Sequence, residues 1–450
     1  MLMKSHLHLK FLCLCVTVFC ISCSIPKEKT SEVKGCTDVD LVPSDFPVNF
    51  ALFTKGEQQF VAYYDTAHIM TLASRKLGEQ KWEYVKLDTK VPWDSHNYIS
   101  MYIDDSGFIH IVGNMHSDSL KYFKSSKPLD IHSMQSVHRM TGREEDITTY
   151  PEFMRGPGNE LIFHYRYGRS GNGYEIYNIL NTETQTWTRL LDRPLIDGEG
   201  KMNAYMQGPV LGPDNYYHLI WVWRDTPDCS TNHTLSYARS KDLLRWESVR
   251  GEVICSPITI RDTAVVVDNT PVKGGLINIG IKLGFDSNKH PVIGYHKYDD
   301  NGNTQLFLSR YENNNWKKVQ QTNWNYRWDF SGWGTIINEL LIDSPISEGN
   351  GNLRFGYHRM DIGSGQVITD EFTLQPLKEE PYQKEYPDEI EDVQSSYDGM
   401  LVYKVKDTGM AYATFHKYIL RWEALSPNRD QKREGVLPPP SMLQVYELSE

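Results

Sequence analysis

Positive charge is in short supply: 47 lysines and arginines face 58 aspartates and glutamates, a formal net charge of −11. Neutralising phosphates along a nucleic acid needs a basic face, so the acidic balance argues against nucleic acid as the main partner. An anionic ligand is not excluded, because one basic cleft can oppose the overall charge. Cysteine is scarce as well. Seven occur in 450 residues, and Cys13, Cys15, Cys20 and Cys23 all fall in the first 23, which leaves Cys36, Cys229 and Cys255 for the rest. Three thiols exclude a disulfide scaffold and leave room for one bridge or one metal site. No segment carries a long, capped apolar period of a helix, so helices should be rare.

Long hydrophobic runs are missing too, except at the start. "MLMKSHLHLKFLCLCVTVFCISCS" joins two lysines to an apolar run from Phe11 to Ile21. That run is too short to span a bilayer and has the flanks of a secretory signal. The stretch Cys20-Ile21-Ser22-Cys23 resembles a bacterial lipoprotein processing site, with Cys20 where leucine is commonest. The expectation is a signal peptide over 1–22, acylation and membrane anchoring at Cys23, and a polar tether over 23–40. The protein would then be exported and lipid-anchored to a bacterial membrane, at the outer membrane or cell surface; an ordinary signal peptide cut nearby is the alternative.

What is present is repetition. Tryptophans in "QKWEYVKL" (Trp82), "QTWTRLL" (Trp187), "LRWESV" (Trp246), "NNWKKV" (Trp316) and "LRWEAL" (Trp422) share one frame, and the two longest gaps each have room for a degenerate copy. A second feature has a similar period. "DDSGFIHIVGNMHSD", "RGPGNELIFHYRYGR", "LGPDNYYHLIWVWRD", "FDSNKHPVIGYHKYD" and "EGNGNLRFGYHRMD" each run from a turn into a short apolar strand ending on a basic residue. Units of about 50 to 70 residues, each with several strands and a tryptophan near the last, predict an all-β, seven-bladed β-propeller over 41–450.

The strand-terminal residues His116, Arg166, Arg224, Lys297 and Arg359 fall into register across these units. Equivalent blade positions point toward one zone near the axis, so the five would make an anion-binding face. Otherwise each pairs with a neighbouring acid such as Asp118, Asp225, Asp299 or Asp361. His96 and His116 stand at the two ends of one expected β-hairpin, which would bring both rings to the same end of a blade.

Several long stretches carry a family resemblance: "DSHNYISMYIDDSGFIHIVGNMHSDSLKYF", "YPEF", "FHYRYGRSGNGYEIYN", "LIDGEGKMNAYMQGP" and "WRDTPDCSTNHTLSYARS". They resemble the BNR-4 propeller group, and within it are most similar to ulvan lyases of polysaccharide lyase family 25. The resemblance implies β-elimination of ulvan, an anionic algal polymer of rhamnose 3-sulfate and uronic acid, giving 4,5-unsaturated uronyl ends. It maps paired catalytic histidines onto His96 and His116 and the uronate-neutralising arginine onto Arg224, helped by Arg166. A catalytic tyrosine goes first to Tyr167, with Tyr165 and Tyr205 behind it. Lys297 and Arg359 complete the expected substrate-binding set.

The chemistry asks for these residue types on its own account. The C5 proton of a uronate is weakly acidic until a positive charge opposes the adjacent carboxylate, and this electrostatic effect is often the largest. A base must take the proton and an acid must protonate the leaving oxygen, roles that histidine and a cation-tuned tyrosine can divide. No cofactor is required for that chemistry. His218, Cys229, His233 and Cys255 could hold a structural zinc, which the resemblance also implies, while a Cys229–Cys255 disulfide is the competing arrangement. A non-catalytic glycan-binding lipoprotein and a propeller glycoside hydrolase are the alternative functions; the S-x-D-x-G-x-T-W box of sialidases is not found.

Overall fold

A computed structural model of the chain describes residues 32–409 and 416–449. The expected signal peptide and the Cys23 acylation site lie outside the described residues. The architecture is all-β and propeller-type, with a single short α-helix, Asp388–Glu391, among the described residues. Six antiparallel-rich sheets are visited nearly in chain order. The first holds Ala51–Lys55, Gln58–Tyr64, Ile69–Lys76 and Glu83–Lys90, each strand paired to the next. A nine-stranded sheet divides where Phe285 meets Ile346 in a parallel contact of one residue pair, with the meander Ile281–Gln320 on one side and strands of 340–381 on the other.

Turn chemistry explains why the hairpins form where they do. Asp104, Asp214 and Asp286 each accept a backbone N–H two or four residues on, fixing the turn into the second strand of their sheets. Strands such as Gln58–Tyr64 are buried along almost their whole length, because each sheet is covered on both faces by its neighbours. The expected tryptophan frame holds for Trp187, Trp246 and Trp316, which sit buried in the fourth strands of their sheets, and for Trp82, which directly precedes one. Trp422 departs from it. It lies in His416–Leu425, the second strand of the last sheet, because the fourth strand there is supplied by the N-terminal segment Glu32–Val42.

That pairing corrects the expected domain boundary. Residues 32–40, assigned to a polar tether, form most of a strand registered against Ser441–Ser449, from Glu32 opposite Ser449 to Val42 opposite Ser441. Val39 and Val42 are buried in a core cluster shared with Trp422, Phe60, Leu72 and Ile99 of three consecutive sheets. The first and last strands of the described residues are therefore locked in one sheet, and Phe50, just before the first sheet's Ala51–Lys55, packs on Trp422 of the last at 4.6 Å between ring centroids.

Candidate active site

Asp94 organises the two histidines. The His96 backbone N–H and ring Nδ1 meet Asp94 Oδ1 at 2.9 and 2.7 Å, and His116 Nδ1 meets Asp94 Oδ2 at 2.5 Å. One carboxylate thus holds both rings, which stack with centroids 4.1 Å apart. They stand at the two ends of the hairpin whose first pair is Ile99 with Gly113. His116 itself begins a short strand, His116–Asp118, that crosses to the next sheet and pairs with Thr149. Left-handed backbone at Asn114 and Ser117 makes that crossing, and the Asn114 amide fixes it by donating to Thr89 Oγ1 and the Lys90 carbonyl. Burial opposes charge on His96, but Tyr150, Asp430 and Asp94 outweigh it and raise its pKa well above 6.5. Burial likewise opposes charge on Asp94, yet its bonds to His116 and His96 hold the carboxyl far below the ordinary range.

A chain of rings leads from the histidines to two arginines. His96 lies 6.0 Å from Tyr150, and Tyr150 lies 6.1 Å edge-on to Tyr205. The Arg224 guanidinium sits over the Tyr205 ring at 4.0 Å, while Arg166 reaches both Tyr150 at 4.9 Å and Tyr205 at 5.8 Å. Ser170 Oγ is 2.6 Å from the Tyr205 hydroxyl. Burial would raise the Tyr205 pKa, but Arg224, then Arg166, the Ser170 bond and His96 bring it below 10.0. Arg224 is held by amides, donating through Nε to Asn232 Oδ1 and through Nη2 to Asn278 Oδ1, and no carboxylate cancels its charge in the ion pairs of the described residues. Tyr150 reaches this position from left-handed backbone, φ 55°, at a register shift between Thr149 and Glu152.

The sequence profile described as "BNR repeat-containing family member" matches residues 58–324, more than half of the chain. The chain belongs to the BNR repeat-containing family. It is 21% identical over 277 residues to an ulvan lyase of Alteromonas sp. (strain LOR), an alignment spanning 55% of each protein, so the chain covers about half the length of that relative. Among solved structures it superposes on a PL25 ulvan lyase bound to -[GlcA(1-4)Rha3S]- with a TM-score of 0.57, 14% identity, and 87% of this chain and 94% of that one covered. The polysaccharide lyase Uly1 gives a TM-score of 0.60 at 12% identity, with 93% and 99% covered. These structural likenesses establish the fold.

In this BNR-repeat protein the register holds for Arg166, Arg224, Lys297 and Arg359, whereas His116 leaves it for the short strand His116–Asp118, and convergence of the cations is partial. Arg166 and Arg224 meet at Tyr205. Lys297 is bonded to Asp268 at 2.6 Å, and Arg359 grips Asp361 with two nitrogens while lying on Trp324 and Tyr326. Both are thereby committed to structure. Asp225, the expected partner of Arg224, instead faces His233 at 3.0 Å. Tyr167 stands apart from the ring chain: it packs on Tyr174, and its hydroxyl donates to Asp146, so burial and that carboxylate raise its pKa. Tyr165 is buried, donates to the Glu144 carbonyl, and is pushed up to about 12 chiefly by burial.

The expected zinc ligands do not fit a metal. Among the described residues, the only group of three or more metal-ligating side chains brought within 4.8 Å is Asp94, His96 and His116, so no three of His218, Cys229, His233 and Cys255 converge. His218 has a different task. Its Nδ1 bonds Tyr237 and its Nε2 bonds the turn residue Asp214, the same arrangement that His110 makes with Tyr122 and Asp104 two units earlier in the repeat. Cys229 is buried, Cys255 is exposed, and both are free thiols, so the competing disulfide is not formed either. Tyr150 and Asn278 were missed by the sequence reading; the D-x-H spacing of Asp94 and His96 was the one available signal that a carboxylate holds the histidines. A cavity of about 540 Å³ lies elsewhere, between the inner strands of four sheets, with Tyr98, Ser100 and Glu152 in its wall. Neither histidine, Tyr205 nor Arg224 lines it. Glu152 faces this cavity with its side chain 58% exposed, 3.5 Å from His164 Nε2.

Proposed function

We propose that this protein is a polysaccharide lyase that cleaves ulvan by β-elimination at the uronate, leaving 4,5-unsaturated uronyl ends. The observation that carries the reading is Tyr205, a tyrosine made more acidic by an arginine whose charge no carboxylate cancels. The ulvan lyases that the chain resembles supply the substrate class.

In this mechanism Arg224 opposes the uronate carboxylate, so that charge can build at C5 as the proton leaves. Tyr205 takes that proton as the phenolate, stabilised by Arg224 and Arg166. The electron pair forms the C4–C5 double bond, and the bond from C4 to the leaving oxygen breaks. His96, protonated through the influence of Asp94 and Asp430, donates its proton to that oxygen. Asp94 orients both imidazoles and is a positioning residue.

The propeller is read here as seven-bladed, the nine-stranded sheet counting as two blades divided at the Phe285–Ile346 contact. The protein is further read as exported and lipid-anchored through Cys23, a reading supported by the sequence "CISC" alone. Incubation with ulvan tests the enzymatic reading. A rise in ultraviolet absorbance from the conjugated uronate is expected. Binding without absorbance would assign a glycan-binding role, and new reducing ends without absorbance would assign hydrolysis.

A further inference from the structure

Between the two halves of the nine-stranded sheet the chain reads "SGWGT", residues 331–335, and places Trp333 in the open. Its side chain is 66% exposed, in a protein whose other tryptophans at the blade positions are buried. Isolated exposed aromatics are common and need no explanation. This one is distinguished by how its backbone is held. On one side the Gly332 N–H donates to Asp228 Oδ1 at 2.8 Å and the Gly332 carbonyl accepts from the Cys229 N–H at 2.8 Å, a few residues beyond Arg224. On the other, the Thr335 N–H donates to Asp430 Oδ2 at 3.0 Å, and Thr335 Oγ1 lies 3.2 Å from His96 Nδ1 and accepts from Ser95 at 2.9 Å. Arg429 closes the loop from below, donating to the Trp333 carbonyl at 3.0 Å.

The loop therefore spans from the segment after Arg224 to His96, the two ends of the ring chain. Both flanking glycines are left-handed, φ 88° at Gly332 and 76° at Gly334, and a Cβ on either would come within 3.0 to 3.1 Å of Arg429. Only glycine fits there without displacing the arginine that braces the loop. Arg429 and Asp430 are themselves consecutive left-handed residues, strain that the surrounding bonds maintain. Every bond holding Trp333 uses its backbone. Among the described residues the indole makes no hydrogen bond, ring contact or cation contact of its own. A large flat apolar face is thus fixed beside the candidate site and left without a protein partner.

We propose that Trp333 is the aromatic platform of a glycan subsite next to His96, stacking on the C–H face of the pyranose adjacent to the uronate. This deepens the lyase reading and rests on it for the identity of the sugar. The face of a pyranose presents several C–H groups and suits a flat indole, whereas the charged edges of the polymer suit Arg224. Stacking fixes the ring next to the reacting residue and so places C5 against Tyr205.

Two measurements test it. In steady-state kinetics on ulvan, Trp333→Ala is expected to raise KM about fivefold to tenfold with kcat changed far less, and Trp333→Phe to restore most of the loss. In a binding titration, ulvan oligosaccharides are expected to quench the intrinsic fluorescence of the Tyr205→Phe protein, with the response reduced in Tyr205→Phe/Trp333→Leu. An unmoved KM in a Trp333→Ala enzyme that still generates the uronate chromophore would overturn the platform. Absence of the chromophore in the unmodified protein, with Trp333-dependent quenching intact, would instead remove the lyase reading and keep the platform. Circular dichroism and thermal unfolding of each variant are expected to stay close to the parent, because the indole is 66% exposed and makes no hydrogen bond, ring contact or cation contact among the described residues.

Discussion

The guanidinium of Arg224 lies face-on over the ring of Tyr205, 4.0 Å from its centroid. These residues occupy adjacent strands of one sheet, where Tyr205 pairs with Val222 and Arg224 with Asn203. The arrangement joins the arginine proposed to oppose the substrate carboxylate to the tyrosine proposed to remove the proton, so each can be tested against a residue that the sequence reading also put forward.

Tyr205→Phe keeps the ring and its arginine contacts but removes the acid–base group. Loss of about 10²- to 10⁴-fold in kcat is expected by the uronate absorbance assay. Tyr167→Phe, whose hydroxyl only meets Asp146, is expected to stay within about twofold. The reverse order would return the tyrosine role to Tyr167.

Arg224→Ala is expected to lower kcat/KM by about 10²- to 10³-fold, the size of effect seen when one stabiliser of developing charge is removed. Arg359→Ala breaks a pair with Asp361 and a stack on Trp324 and Tyr326, and its expected effect is on thermal stability. Activity at a temperature where the variant is folded should be close to that of the parent. A large kcat loss there would place Arg359 at the substrate.

The Asp94–His96 pair sets a pH window of stability and activity. Because the folded His96 pKa is raised, its contribution is complete below the ordinary 6.5 and is lost as pH rises through the raised value. The folded Asp94 pKa is lowered, so its contribution is present above the ordinary 3.8 and is lost as pH falls through the depressed value. Asp94→Asn removes the charge that helps keep His96 protonated. The alkaline limb of the kcat profile is therefore expected to move to lower pH, together with a fall in kcat. An unmoved limb would show that His96 is not the proton donor.

Removal of residues 32–42 is expected to unfold the propeller or lower its Tm sharply. The deletion strips the pairing partner from Ser441–Ser449 and exposes the core around Trp422. Val42→Asp tests the same contact with one residue: it puts a carboxylate at a fully buried position and should destabilise by several kcal/mol. A truncated protein with an unchanged Tm would return this segment to the tether.

The legible parts of this protein were those written in local chemistry. Turn aspartates and glycines, short apolar strands and recurring tryptophans specified hairpins of one type, because turn geometry and strand burial act within a few residues. The paired histidines were readable for the same reason, since one hairpin carries both to its two ends. The register of Arg166, Arg224, Lys297 and Arg359 was readable as well: the first two stand in the second strands of their sheets, the last two in the second strands of the two halves of the nine-stranded sheet.

Which of those cations stays free was decided only in three dimensions. Lys297 meets Asp268 and Arg359 meets Asp361, whereas among the described residues Arg224 hydrogen-bonds the amides of Asn232 and Asn278 and no carboxylate. The sequence by itself determined the repeating β-hairpins and the residue types at the hairpin ends. The tertiary structure decided that Tyr205, and not Tyr167, lies between two arginines, that His218 supports a turn, and that residues 32–42 close the last sheet. Those outcomes depend on contacts between residues far apart in the chain, where a shift of one strand or a nearby carboxylate changes the field at a side chain.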